Sequence, residues 1–521
     1  METADKDPVM TDANQTSEPP KKKKRSFPTA FTVLFIVLIF AAALTWIVPA
    51  GSYDRLTYNE ETQQFNIENI QGEVKELPVE QKTLDDLGIS VPLDNFKNGS
   101  VRKPIAVPGT YQKIEQRPQG FIALMKASVS GTADSVGIVI FILIMGGLIG
   151  IVNASGAFDA GVAVLSRVTK GREFLLVTII SSLIALGGTT FGMAEETIAF
   201  YPILVPIFLA AGYDVLVPIA AIYMGSSIGT MFSTTNPFSV VTASNAAGIS
   251  FTDGITWRIA ALVAGQIISL AYIYWYARKV RKDPTKSLVY EEMPAIKEKF
   301  LKDYNPKEAP AFTWQRVLIL IIFASAFPIM IWGVSSQEWW FEELATLFLT
   351  VSIFCMLLSG LGESKAVGAF VGGAADLASV ALIVGVARGI NMIMDDGMIS
   401  DTLLYYASDI ISGMNGVVFS TVQMVLFSFL GIFIPSSSGL ATLSMPIIAP
   451  LADAVHLGRD IVVSAYNYGQ GWMSFITPTG LILATLAMVD VGYDKWLKWV
   501  MPLMGIIGIL CVIMLALQVA L

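Results

Sequence analysis

With 521 residues, 54% of them hydrophobic and 15% charged, and a mean hydropathy of +0.62, the chain is too apolar and too poor in charge for a soluble protein of its length and belongs in a bilayer. The formal charge of -8 says little, because charge in a membrane protein acts through its placement in loops, and no nucleic-acid partner is expected. A single histidine, His456, argues against a histidine metal site, two cysteines within apolar runs, Cys355 and Cys511, read as packing residues, and the absence of a Gly-x-x-x-x-Gly-Lys-[Ser/Thr] loop argues against an ATP-driven pump in this chain.

Residues 1–27 read as a cytoplasmic tail ending in the basic run 21–25, ahead of a first span over 31–48. Residues 50–118 are a long polar loop, expected outside, with an alternating start at Tyr53 that suggests strands. A span over 136–152 leads to a basic cluster, Arg167, Lys170 and Arg172, expected in the cytoplasm. Two apolar arms, 174–186 and 197–211, flank a polar tip; at roughly 13 to 15 residues each they are too short to cross ~30 Å and read as a re-entrant hairpin. A helix over 215–247 is broken at 233–237, and 255–276 returns to a basic run at 278–282, closing a first repeat over 28–282. Residues 283–312 are a cytoplasmic linker. The remainder, 313–521, holds a connecting helix over 312–334, spans over 344–361 and 377–394, an interfacial stretch over 399–411, a second hairpin (417–434 and 440–451), a second broken helix (461–475 and 481–489) and a last span from 496. That makes nine spans and two hairpins, with the C-terminus outside.

The second half repeats the first. Pro202 and Pro206 recur as Pro446 and Pro450, both 244 positions later; Gly192 recurs as Gly439 and Asp214 as Asp460, at 247 and 246. One odd connecting helix makes the copies antiparallel. Paired, interrupted apolar halves point to a secondary transporter, because unwound backbone at membrane depth persists only where it lines a cavity or binds something.

The polar tips supply the candidate site: Thr189, Thr190, Glu195 and Glu196; Thr234, Thr235 and Asn236; Ser436, Ser437 and Ser438; Thr477 and Thr479. Buried carboxylates at Glu195 and Glu196 need a cation, a proton or a basic partner. The hydroxyl and amide groups suit sodium, placed near Asn236 and Ser437, or a substrate carboxylate; alternatively they only pack helices closely, and the glutamates lie in an external loop. Arg388, deep in a span, pairs with a tip glutamate or binds a substrate carboxylate, and Asn467 and Gln470 face the same cavity. No cofactor is expected beyond Na+ or H+ as coupling ion.

The run Phe191 to Glu196, the run Ser438 to Leu451, and Thr477-Pro478-Thr479 followed by Ala484-Thr485-Leu486 resemble the YfcC family of bacterial membrane proteins over nearly the whole chain. That family is grouped with the C4-dicarboxylate anaerobic carriers and the arginine/ornithine antiporters of the ion transporter superfamily. The resemblance implies an all-α polytopic homodimer in the bacterial cell membrane, with a fixed scaffold domain and an elevator-type transport domain carrying both hairpins and both broken helices. The sequence departs from the dicarboxylate carriers, which have Ser-Asn-Thr at both tips: here Thr235-Asn236-Pro237 stands in one half, and Thr477-Pro478-Thr479 lacks asparagine. The expected activity is therefore exchange or ion-coupled transport of small amino or carboxylic acids, led by basic amino acids, with C4-dicarboxylates or short-chain carboxylates as the alternative. A channel or a membrane-embedded enzyme fits less well, since no activated nucleophile is visible and a channel has no need of paired hairpins.

Overall fold

The computed structural model describes residues 28–98, 101, 103–168, 172–301, 310–337, 339–411, 414 and 416–521. The basic run 21–25, Lys170 and part of the 283–312 linker lie outside these residues, as does the side chain of Arg167. Among the described residues nine helices are long and apolar enough to cross a membrane. The number equals the expected one, but the set differs: it includes Glu173–Phe191 and Gly416–Phe433, the first arms of both hairpins, in place of the two broken helices.

One arm of each hairpin is longer than expected. Glu173–Phe191 has 19 residues because Gly187, Gly188, Thr189 and Thr190 continue the helix, which stops only at Gly192, where φ is +78°. In the second hairpin Gly416–Phe433 and Ser437–Ala454 have 18 residues each. At 1.5 Å per residue these three arms extend about 27 Å, whereas the second arm of the first hairpin, Tyr201–Ala210, has 10 helical residues and extends about 15 Å, too short to cross. The helix Glu363–Asp376 was not anticipated, because Gly368, Gly372 and Gly373 dilute its apolar pattern.

Helices recur in order and in length. Phe121–Asp134 and Glu363–Asp376 have 14 residues each, and a one-residue break joins them to Val136–Ala154 and Ala378–Asp396, of 19 each. Ala157–Val168 and Ser400–Ile411 have 12, and Ile255–Lys282 and Tyr493–Ala520 have 28. The first three pairs are displaced by 242 or 243 positions, the last by 238. Packing follows the same rule, since Phe121–Asp134 lies on Ala378–Asp396 while Val136–Ala154 lies on Glu363–Asp376. Glycines bring these backbones together: a Cβ on Gly131 would sit 2.4 Å from the Gly389 nitrogen, and one on Gly373 would sit 2.1 Å from the Gly146 carbonyl oxygen.

This group, with Ala30–Ile47 and Phe341–Ser359, packs beside a second one made of the hairpins, the broken helices and the two 28-residue helices. Within the second group Glu173–Phe191 lies against Gly225–Met231, and Gly416–Phe433 against Arg459–Ser474.

The described residues of 51–113 fold as an insertion with its own core of Leu56, Phe65, Phe96 and Ile105. Its antiparallel sheet runs in the order Val74–Leu77, Gln64–Glu68, Arg55–Asn59, Ile105–Ala106, and Gly51–Ser52 pairs separately with Gln112–Lys113. The central hairpin turns where the Asn59 side chain accepts the backbone N–H groups of Glu61 and Thr62, and Gln63 takes a positive φ of 50°. The insertion is fastened to the first helix group by an ion pair from Arg55 to Asp401 at 2.7 Å and by Tyr111 against Thr402 at 2.8 Å.

Candidate functional site

At the first hairpin the expected hydroxyl ligands bind the protein's own backbone. The Thr189 hydroxyl donates to the Phe232 carbonyl at 2.8 Å and accepts the Thr234 N–H at 3.0 Å, while the Thr234 hydroxyl returns to the Thr189 carbonyl at 3.1 Å. Thr190 bonds back to Leu186 in its own helix, and Thr235 donates to the Thr190 carbonyl. Asn236 caps the turn beginning at Pro237 through the Phe238 N–H at 2.9 Å, and its amide nitrogen donates to the Gly188 carbonyl at 3.3 Å. These bonds close the broken helix onto the hairpin tip and satisfy backbone groups that the break leaves open.

The second half does the same with other side chains. Thr477 and Thr479 bond each other at 2.8 Å, and Thr479 donates to the Ile432 carbonyl at 3.1 Å. Asn236 to Thr479 and Gly188 to Ile432 are 243 and 244 positions apart, so one bond recurs with its donor changed. Ser436 caps Ser437–Ala454 through the Gly439 N–H, Tyr466 donates to the Ser437 carbonyl at 2.5 Å, and Gln470 reaches the Pro435 carbonyl. The hydroxyl of Ser438 accepts from Lys103 of the insertion at 2.6 Å. The broken helices meet where Ser239 donates to Asn467, Tyr223 donates to the Ser474 carbonyl at 2.7 Å, and Gly471 lies against Met231.

The charged candidates divide. Glu195 and Glu196 open a tight turn, Glu195–Phe200, and both are partly buried. Glu196 folds back to accept the Ala194 N–H at 3.0 Å. Glu195 forms no ion pair among the described residues, and its carboxylate turns back to its own backbone N–H. Arg388 does not pair with a tip glutamate as one expectation had it: its Nε donates to Asp134 at 2.7 Å, because Phe121–Asp134 is the helix packed along it. Among the described residues only Nε is so engaged, both side chains remain more than 40% exposed, and the charge of Arg388 acts on Glu195.

Arg388 and Ser436 share a cavity of about 620 Å³ bounded by the insertion, Ala378–Asp396 and the second hairpin. Its charged lining is Arg55, Lys103, Asp134, Arg388, Asp395 and Asp401. Thr189, Thr190, Glu195, Glu196, Thr234, Thr235, Asn236, Ser437, Ser438, Asn467, Gln470, Thr477 and Thr479 are not part of its wall. Sequence reasoning overlooked Asp134, Asp395 and Lys103. The seven-residue spacing from Arg388 to Asp395, which puts both on one helix face, was a usable signal, whereas the approach of Lys103 to a hairpin tip 335 positions away had none.

Residues 27–520 match the family model of the C4-dicarboxylate anaerobic carriers, DcuC. A Haemophilus influenzae protein described only as uncharacterized is 49% identical over 501 residues, covering 96% of this chain and 98% of its own. A chain of Escherichia coli K12 described as "Putative basic amino acid antiporter YfcC" is 31% identical over 504 residues, covering 94% and 95%. The crystal structure of the Alcanivorax borkumensis YdaH transporter aligns over 95% of this chain and 98% of its own, at 13% identity and a TM-score of 0.38, a likeness too distant to bear on the site. Matched almost from end to end, the chain belongs to the C4-dicarboxylate anaerobic carrier family and is a multi-pass membrane transporter of that bacterial family.

Proposed function

We propose that this transporter exchanges basic amino acids such as arginine or ornithine across the bacterial cell membrane, its hairpins and broken helices moving as one body against the remaining helices in each subunit of a homodimer. The observation that carries the reading is Glu195, a partly buried carboxylate at a hairpin tip that forms no ion pair among the described residues, with the charge of Arg388 acting on it and the terminal nitrogens of that arginine making no hydrogen bond among those residues. A carboxylate buried at this tip is costly, so a guanidinium or ammonium group at Glu195 removes a penalty, and Arg388 offers a forked donor to the α-carboxylate. A filled site then crosses more readily than an empty one, which is a physical basis for exchange. The cargo class named for the Escherichia coli relative agrees.

The rival cargo is a C4-dicarboxylate, favoured by the family's description. Against it, Arg55 and Arg388 already face Asp401 and Asp134. The coupling ion, Na+ or H+, follows from imposing each gradient separately on reconstituted protein. In the proposed orientation the N-terminus and the 283–312 linker are cytoplasmic, and the insertion and C-terminus are external.

The test is counterflow in proteoliposomes. The double variant Glu195→Gln, Glu196→Gln should lose about tenfold or more of arginine exchange, the scale of one charge-assisted contact, with an unchanged melting profile. Full-rate arginine exchange by that variant, or succinate exchange untouched by arginine in the wild type, would remove the assignment.

A further inference from the structure

The cavity beside the second hairpin has its charges arranged end to end. At the hairpin end Lys103 bonds Ser438 with one of its three donors and feels the charge of Arg388. Further along the helix that carries Arg388, Asp395 feels first the charge of Arg388 and then those of Asp396, Asp401 and Arg55, the last two being the ion pair that fastens the insertion. Arg388 and Asp401 each have an ionic partner; Asp395 is exposed to the cavity and makes no hydrogen bond or ion pair among the described residues. Arg388 and Asp395 are seven positions apart on one straight helix, so their Cα atoms are separated by about 10 Å along its axis. A short zwitterion brings its two charges close together and satisfies only one end. A long amino acid with a terminal cation separates them by its side chain.

From this we infer that the cavity is an outer docking site for a basic amino acid, holding the carboxylate between Lys103 and the terminal nitrogens of Arg388 and the side-chain ammonium or guanidinium at Asp395. The inference rests on the proposed cargo and shares Arg388 with that site, but the carboxylate that takes the cation is Asp395 in place of Glu195, so the two are occupied in turn. The cavity wall contains neither Glu195 nor Glu196, and it joins the insertion to the tip of the second hairpin, so a ligand here touches both the fastened insertion and the hairpin before it reaches the first tip. Arg388 is on the cavity wall and its charge acts on Glu195, so it is the residue that the two positions share.

The experiment is calorimetric titration of the purified full-length protein with L-arginine, with citrulline, which keeps the length but not the terminal charge, and with agmatine, which keeps the charge but not the carboxylate. Asp395→Asn should weaken arginine by about tenfold to a hundredfold, to the affinity the wild type has for citrulline, leave citrulline unchanged, and leave the melting profile of the unliganded protein intact. Lys103→Met should weaken arginine while sparing agmatine. If Asp395→Asn binds arginine as the wild type does while the Glu195, Glu196 double variant does not, the outer site is overturned and the exchange reading stands. If Asp395→Asn loses arginine and the double variant keeps it, the outer site stands and the assignment of the glutamates falls. Undiminished binding in both variants, or no binding of arginine by the wild type, overturns both.

Discussion

The two hairpin tips occupy equivalent places in the repeated order of helices, yet they differ in chemistry. The first turns through a glycine at positive φ into a tight turn carrying two glutamates, and its Met193 carbonyl is held by Ser226 from the neighbouring helix. The second enters its helix at once through a serine cap, carries no charge, and has its carbonyls held by Tyr466 and Gln470, with Lys103 arriving from the insertion. What persists between the copies is the need to satisfy broken backbone. What has diverged is which side chain meets that need, and that leaves one tip free to bear charge.

The sharpest break in this comparison is steric. Gly225 and Gly469 occupy matching positions where a broken helix rests on a hairpin arm, but an added Cβ would lie 2.8 Å from the Ser181 carbonyl oxygen at the first and 2.2 Å from the Met424 carbonyl oxygen at the second. Backbone cannot yield as a flexible side chain does. Gly469→Ala should therefore destabilise by about 1 to 3 kcal/mol and Gly225→Ala by less, read as melting temperatures in detergent. Equal losses would show that the halves pack with the same tolerance.

A smaller effect concerns the carbonyl ties. Tyr466→Phe should cost about 1 kcal/mol and speed amide exchange around 437–440, and Ser226→Ala should do the same around 193–196, each at its own tip only. Loosening of both tips by either variant would mean that the halves open together.

The smallest effect is a pH dependence confined to the second tip. Burial, and then the Arg388 guanidinium, pull the Lys103 ammonium below its usual range. Between that lowered value and the unfolded value near about 10.4, the unfolded chain binds more protons than the folded one, so stability rises with pH across this window. The wild type should gain on Lys103→Met as pH climbs through the window; a difference independent of pH would show that the ammonium is as well solvated in the fold as in the unfolded chain.

Much of the architecture was legible because it rests on local rules. The breaks at 232–236 and 475–481 follow from proline, glycine and hydroxyl residues that interrupt apolar runs, and the structure places both there. The end of the first hairpin's first arm was misjudged for the same local reason: Gly187 and Gly188 looked like the start of a tip, but Gly188 packs against the Ser226 carbonyl and the helix runs on through both. The candidate site was legible as a set of residue types but not as a division of labour. Thr189, Thr234, Asn236 and Thr479 were chosen as ligands and turn out to seal backbone, while Glu195 forms no ion pair among the described residues.

The sequence by itself determined that the chain lives in a bilayer, that it is doubled, and where its helices break, since hydropathy, repetition and backbone preference are written over short stretches of chain. Only the tertiary structure decided that Arg388 faces Asp134, that Lys103 reaches Ser438, and that glycines of the two halves let their backbones touch. Those pairings join residues hundreds of positions apart. They are selected by the packing of whole helices, and no local pattern carries that information.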